Sequence, residues 1–279
     1  MPTPTKKLLN AGPSERGWHH FETALRCMRL NGYWSKGLLQ MPMSEPLVRG
    51  SLLHIGLAHH YQRLKEIQTG GNPDDWYTPV EAIRKLAIEE EENSDLWIDL
   101  VPVAEKMVEA YISHYGSDPV WEVVDVEREL RARFGPGKHL YTQRADLIVR
   151  DSQKRVWIVD HKTAYRISHK TYDSHILNGQ MIGYQVFGRL YWPDEFAGVI
   201  INRITTRPPY KLDRRPLEPA PHAVTRFVQN LLYAEENMER WKNKPLNEWP
   251  AAYSDMICTH KYGKCDAFEL CRWGVEEND

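Results

Sequence analysis

The sequence predicts an α/β fold, a central mixed β-sheet flanked by helices, and three observations carry that reading. Residues 140–162, LYTQRADLIVRDSQKRVWIVDHK, hold two apolar, β-branched runs on either side of the polar break Asp151-Ser152-Gln153-Lys154, the pattern of a β-hairpin. Helical periodicity precedes it at 15–31, 49–66, 79–92 and 95–115, and follows it at 172–191 and 221–243. A further strand pattern, AGVIINRIT, spans 197–205. At 279 residues the chain can bury a sizeable core, and with 27% charged and 42% hydrophobic residues it is neither disordered nor membranous in composition. No apolar run approaches the ~20 residues that cross a bilayer, and the start lacks the apolar core of a signal peptide. A cytoplasmic location with no membrane partner is therefore expected. The net charge of −2 speaks against a passive DNA coat, but not against an enzyme with one basic groove.

The helix at 15–31 presents Trp18, Phe21, Leu25 and Met28, with Asn31-Gly32 as its stop. Cys27, near its end, reads by itself as a small buried hydrophobe. Residues 35–48, with Pro42 and Pro46, read as a loop. In 49–66 the apolar stripe is Leu53, Leu57, Tyr61 and Leu64. His54 shares a face with Ala58 and Tyr61, whereas His59 and His60 lie off it on the solvent side. A histidine so placed is more often a satisfied core or surface residue than a ligand. The stretches 79–92 and 95–115 form a helical elaboration ahead of the sheet, and Glu89-Glu90-Glu91-Glu92 is a solvated face. Pro119 opens a strand running from Val120 to Phe134 that contains Glu122, Glu127 and Glu129. Gly135-Pro136-Gly137-Lys138 lacks the G-x4-G-K-[ST] pattern of a phosphate loop and is a turn, so no ATP site follows from it.

In the second strand of the hairpin, alternation places Val156, Ile158, Asp160 and Lys162 on one face. Asp146 faces Asp160 if the loop between the strands is odd in length, for instance 151–155, or if a bulge absorbs a residue. Two carboxylates so close repel unless a cation lies between them, and oxygen ligands suit Mg²⁺ or Mn²⁺. On spacing alone, a surface salt-bridge cluster explains the same residues. In the helix at 172–191, Gln180 and Tyr184 share a face at i and i+4, a pair that also arises by chance, while Ile176, Phe187 and Tyr191 supply packing. Arg207, Tyr210, Lys211, Arg214 and Arg215 make the most basic loop of the chain. It could track a phosphate backbone with Tyr210 stacked on a base, or be an ordinary exposed hairpin. Cys258-x6-Cys265-x5-Cys271 is too open for a redox C-x-x-C and differs from a zinc ribbon. With Cys27 it supplies four soft ligands, suited to a [4Fe–4S] cluster or to tetrahedral zinc, with His260 as an alternative ligand.

Ala145-Asp146 in the "PD" place and Asp160-His161-Lys162 in the "(D/E)xK" place resemble the PD-(D/E)XK nuclease superfamily. Gly50-x3-His54, Gln180-x3-Tyr184, and one early cysteine followed by three late ones look like its RecB-type and CRISPR-associated iron–sulfur exonuclease branch. The cysteines resemble the clasp of the AddB-type nucleases, although the x6 spacer is wider than is usual there. The resemblance implies a restriction-endonuclease-like core in one integrated nuclease domain. Residues 1–118 would be an N-terminal helical region, 119–220 the core sheet with the Gln180 helix, and 221–279 a C-terminal helix and clasp closing onto Cys27. It further implies that His54, Asp146, Asp160 and the backbone carbonyl of His161 hold Mg²⁺ or Mn²⁺. Lys162 would orient or deprotonate the attacking water, and Gln180 and Tyr184 would help to position the scissile strand. The four cysteines would hold a structural [4Fe–4S] cluster, or zinc. The implied activity is that of a divalent-metal-dependent DNA exonuclease acting on ends or single strands in recombination, repair or processing. Any unwinding would come from a helicase or recombination partner, since the chain has no helicase motif. Two rivals are a weak or inactive nuclease-like DNA-binding protein and an iron–sulfur redox protein; no cofactor-binding motif supports the latter.

Overall fold

The structure is a computed structural model that describes residues 6–9, 12–39, 43–116, 120–260 and 263–274, the side chain of His260 excepted. Its helices are α1 (Trp18–Arg26), α2 (Met28–Ser35), α3 (Glu45–Thr69), α4 (Pro79–Glu90), α5 (Leu96–Asp99), α6 (Val101–Tyr115), α7 (His169–Ile176), α8 (Gly179–Tyr191), α9 (Pro221–Trp241), α10 (Asp255–Cys258) and α11 (Phe268–Trp273). Its strands are β1 (Glu122–Phe134), β2 (His139–Arg150), β3 (Val156–Ala164), β4 (Phe196–Thr205), β5 (Leu212–Pro216), β6 (Thr259–His260) and β7 (Gly263–Lys264). The chain divides into two units, each discontinuous in sequence. One is Met1–Ser14, Met43–Leu130 and Gln143–Val224, and the other is Glu15–Pro42, Arg131–Thr142 and Thr225–Asp279. No described helix is long and apolar enough to cross a membrane.

The first unit is built on a five-stranded sheet in the order β1-β2-β3-β4-β5. Strands β2 and β3 are antiparallel, β3 and β4 parallel, β4 and β5 antiparallel, so the sheet is mixed as the sequence predicts. A parallel pair needs a long crossover, and α7 and α8 supply it between β3 and β4. One face of the sheet, with Leu147, Val149, Val159, Ile200 and Ile204, packs on α3, α4 and α6 through Leu53, Leu57, Tyr61, Ile83, Met107 and Val108. Each such aliphatic side chain stabilises the fold by about 1.5–3 kcal/mol when fully buried.

Several element boundaries differ from expectation, each for a local reason. Helix α3 begins at Glu45, ahead of the expected 49, because Pro46 lies in its first turn, where the missing N–H costs no hydrogen bond. It ends at Gly70, whose φ of 77° is the left-handed cap position. Helix α3 is buried nearly all round, so a single-face reading fails. His59, expected on the solvent side, is fully buried, with Leu9 N–H donating to Nε2 at 3.1 Å and Nδ1 3.0 Å from the Tyr77 carbonyl. The stretch 95–115 is two helices, α6 starting afresh with Pro102 in its first turn. The stretch 172–191 is also two, because Asn178 turns its side chain onto the N–H groups of Gln180 and Met181 and caps α8. Pro119, expected to open β1, lies outside the described residues.

In the second unit the expected helix 15–31 is broken at Cys27, whose extended backbone (φ −160°, ψ 113°) separates α1 from α2. The expected stop at Asn31-Gly32 does not end the helix, which runs on to Ser35. Gly32 serves close packing instead: a Cβ there would stand 2.7 Å from Leu246 and 2.8 Å from Trp249. Phe21 meets Phe134 and Tyr141 edge-on, Trp18 packs on Phe227, and Arg16 pairs with Glu235.

Candidate active site

The ladder between β2 and β3 runs from Arg150–Val156 to Leu147–Val159, closed by a five-residue loop, 151–155. That odd loop sets Asp146 across from Asp160 when the register is continued by one pair. Just beyond the ladder, Asp146 Oδ2 accepts the backbone N–H of His161 at 2.7 Å. The carboxylate thus stands in for a strand carbonyl, in the gap where the two strands part. A residue's N–H and C=O share one edge of an extended strand, so the His161 carbonyl faces the same gap.

His54 comes from α3, its Nδ1 3.4 Å from Asp146 Oδ2. The third member of the cluster is Glu127, to which the sequence reading gave no role. Ligand atoms of His54, Glu127 and Asp146 all lie within 4.8 Å of one another. Glu127 sits inside β1 with φ at +50°, a left-handed conformation that is strained for a residue with a side chain. The buried residues change phase there, from Trp121, just ahead of β1, and Val123 to Val126 and Leu130. A local irregularity of this kind re-aims a side chain that alternation would place otherwise.

The charges are strongly interdependent. Burial opposes the imidazolium of His54, but the Asp146 carboxylate and its hydrogen bond outweigh it and raise the pKa to about 9. Burial likewise opposes ionisation of Asp146, yet the charge on His54 and their hydrogen bond hold it well below the usual carboxylate range. Glu127 is pushed up to about 8 by burial, with the Asp146 charge adding to it. Burial also raises Asp160, against the pull of Lys162.

Asp160 is fully buried and faces Lys162, whose Nζ lies 2.9 Å from Oδ1 and 2.7 Å from Oδ2. Lys162 also donates to Gln180 Oε1 at 3.3 Å, and Gln180 Nε2 donates to the Tyr184 hydroxyl at 3.1 Å. Tyr184 corrects an expectation: it is wholly buried, and its hydroxyl turns to the Arg144 carbonyl (2.8 Å) and Asp160 Oδ1 (3.3 Å). So placed, its hydroxyl bears directly on Asp160.

On the other face of β3 the His161 ring is buried, lowered to about 3 by desolvation and therefore neutral. Its Nδ1 lies 2.7 Å from Asn202 Nδ2, which also donates to the Tyr111 hydroxyl at 2.7 Å. The same buried network holds Arg214. Its guanidinium donates to Tyr111 at 2.8 Å and lies 3.6 Å from the ring centre of Tyr115 and 4.0 Å from that of Trp121. Arg214 was expected on a nucleic-acid surface; it is instead caged by aromatics, whose ring faces attract a cation. Tyr210 is half-buried against the core and Arg215 pairs with Asp213, which leaves Arg207 and Lys211 exposed and without an acidic partner in that loop.

One imidazole and two carboxylates converging within 4.8 Å, with a third carboxylate beside them, form a hard nitrogen and oxygen donor set. The Asp160 carboxylate, fully buried and paired with Lys162, is a further oxygen donor beside them. These residues fit a divalent cation such as Mg²⁺ or Mn²⁺.

In the second unit Cys27, Cys258, Cys265 and Cys271 are all free thiols lining one pocket of about 210 Å³, among Leu30, Ile257 and Phe268. Burial pushes the thiols of Cys265 and Cys271 up. Among the described residues, no three of these sulfurs close to within 4.8 Å as His54, Glu127 and Asp146 do. The side chain of His260, the alternative ligand, lies outside the described residues.

The family model of the PD-(D/E)XK nuclease superfamily matches residues 19–272. Among solved structures, a provisionally named exonuclease from Eubacterium rectale is similar over 93% of this chain and 87% of that one, at 13% identity and a TM-score of 0.48. The protein SSO0001 is similar over 60% of this chain and 76% of that one, at 20% identity and a TM-score of 0.28. No curated protein matches the chain.

Proposed function

The chain belongs to the PD-(D/E)XK nuclease superfamily, and from that premise we propose that it is a divalent-metal-dependent DNA exonuclease of the RecB-type branch, acting on DNA ends or single strands. The observation that carries this reading is the convergence of His54, Glu127 and Asp146 beside the Asp160–Lys162 pair. His54, Glu127, Asp146, Asp160 and the His161 carbonyl would hold the ion. When bound, the ion lowers the pKa of a water and offsets charge on the phosphate.

The chain's own groups do the rest. Asp146 is fixed by the His161 N–H, so its carboxylate does not rotate away. Lys162 is held by Asp160 and Gln180, with its charge maintained by the two aspartates against the cost of burial. It supplies positive charge beside the developing phosphorane and orients the attacking water. Gln180 and Tyr184 keep Lys162 and Asp160 in place.

For the second unit we infer a [4Fe–4S] cluster on the four cysteines. All four thiols line one pocket of about 210 Å³, which gathers the soft ligands such a group needs. Its role is mechanical: it ties Cys27 to Cys258–Cys271 across more than half of the chain. The test is digestion of end-labelled single- and double-stranded DNA, linear beside circular, with Mg²⁺ or Mn²⁺. Linear DNA should be shortened from its ends, and EDTA should stop the reaction. Full cleavage in EDTA would sink the mechanism, and equal cleavage of circles would make the enzyme an endonuclease.

A further inference from the structure

Strands β3 and β4 run parallel, so their C-terminal ends lie together, Ala164 beside Thr205, and Thr206 N–H donates to the Ala164 carbonyl at 3.0 Å. The chain that leaves each end places Tyr165 next to Arg207, the guanidinium 4.9 Å from the ring centre. Tyr165 remains 68% exposed, and Arg207 is exposed as well, so the pair adds little to the core. The same two segments carry Arg166, Lys170 and Lys211, all exposed, and neither 161–172 nor 205–212 contains an aspartate or glutamate. In a chain of net charge −2 this is a local excess of positive charge.

Tyr165 lies three residues beyond Lys162. Tyr165 follows the end of β3 at Ala164, so at about 3.3 Å per residue the two are at most about 10 Å apart along the backbone, within reach of a nucleotide flanking the bond that Lys162 serves. In open α/β sheets, ligands lie outside the carboxyl ends of parallel strands, which is where this pair sits. An exposed tyrosine with a guanidinium on its ring, among exposed cations, is suited to stack on a base while its neighbours hold phosphates. Inside a duplex both faces of each base are covered by the neighbouring pairs, so away from a duplex end only an unpaired base can use such a platform. Resting on the nuclease reading above, we infer that Tyr165 and Arg207 form a stacking platform for an unpaired base beside the scissile phosphate, and that the substrate is single-stranded DNA.

The experiment reads fluorescence anisotropy of the full chain in EDTA, with a labelled deoxythymidine oligonucleotide, the same oligonucleotide carrying abasic sites, and a duplex. Tyr165→Ala should weaken binding of the oligonucleotide about tenfold or more, and Tyr165→Trp should retain it. The abasic strand should bind wild type and Tyr165→Ala alike, and duplex binding should not respond to the substitution. Equal affinity of wild type and Tyr165→Ala for the oligonucleotide overturns the platform, as does an equal loss on single strand and duplex; either leaves the nuclease reading standing. A wild-type chain that cuts no DNA with Mg²⁺ or Mn²⁺ overturns the nuclease reading itself.

Discussion

The two clusters of potential ligands in this protein are built in opposite ways. The carboxylate–histidine cluster of the first unit rests on regular structure: a central helix, a hairpin of fixed register and a strand kinked at Glu127. Its members are hard donors, mostly buried, and locked by hydrogen bonds to one another and to the backbone. The four cysteines of the second unit sit at a helix break and on short elements near the C-terminus, joined by a small apolar cluster around Leu30, Tyr33 and Ala267 and by Arg29, which donates to the carbonyls of Asn247 and Trp249. The contrast teaches a division of labour. On the proposed reading, the regular structure of the first unit would leave its ion to do chemistry, while a group on the four cysteines would add rigidity to short elements.

That contrast can be broken in order of expected effect. Asp160→Asn should lose DNA cleavage below detection while iron content stays at the wild-type level; retained cleavage would show that Asp160 is only structural. Cys27→Ser should do the reverse. Bound iron should be lost and the fold destabilised by about 2–5 kcal/mol on the cross-link picture, read by denaturant melting of anaerobically prepared protein. A colourless wild type carrying one zinc would replace the cluster but keep the clasp. Lys162→Ala should lower turnover roughly 10²-fold with metal affinity retained, because no ligand is removed; calorimetric titration with Mn²⁺ separates the two effects. Glu127→Gln should weaken Mn²⁺ roughly tenfold in the same titration, and unaltered affinity would remove Glu127 from the ligand set. Smallest is Asn178→Ala, which deletes the cap of α8 and should cost about 1 kcal/mol in a thermal melt, leaving the cysteine site untouched.

The hairpin and its register were legible because period-two alternation and an odd loop are local properties of the sequence. Alternation put Asp146, Asp160 and Lys162 on one face, although a salt-bridge cluster fitted the same spacing, and only the family resemblance gave His54 a role. Glu127 was hidden because the kink that aims it breaks the alternation used to read strands; the one signal was the phase change from Val123 to Val126. His59 was misplaced because a helix packed on several sides has no solvent face to infer. Arg214 looked like part of a basic loop, since the aromatics that cage it lie about a hundred residues earlier in the chain. Charge is visible in sequence; what surrounds it is not.

The bond from the His161 N–H to Asp146 has a use beyond geometry. Any cation that draws electron density from that carboxylate weakens it as an acceptor, and the amide proton will register the change. A single backbone resonance, followed by nuclear magnetic resonance or by its rate of exchange with deuterium, thus becomes an occupancy gauge for the site. It needs no substrate and no turnover, and it lets a dead variant be sorted into one that has lost its ion and one that has kept it.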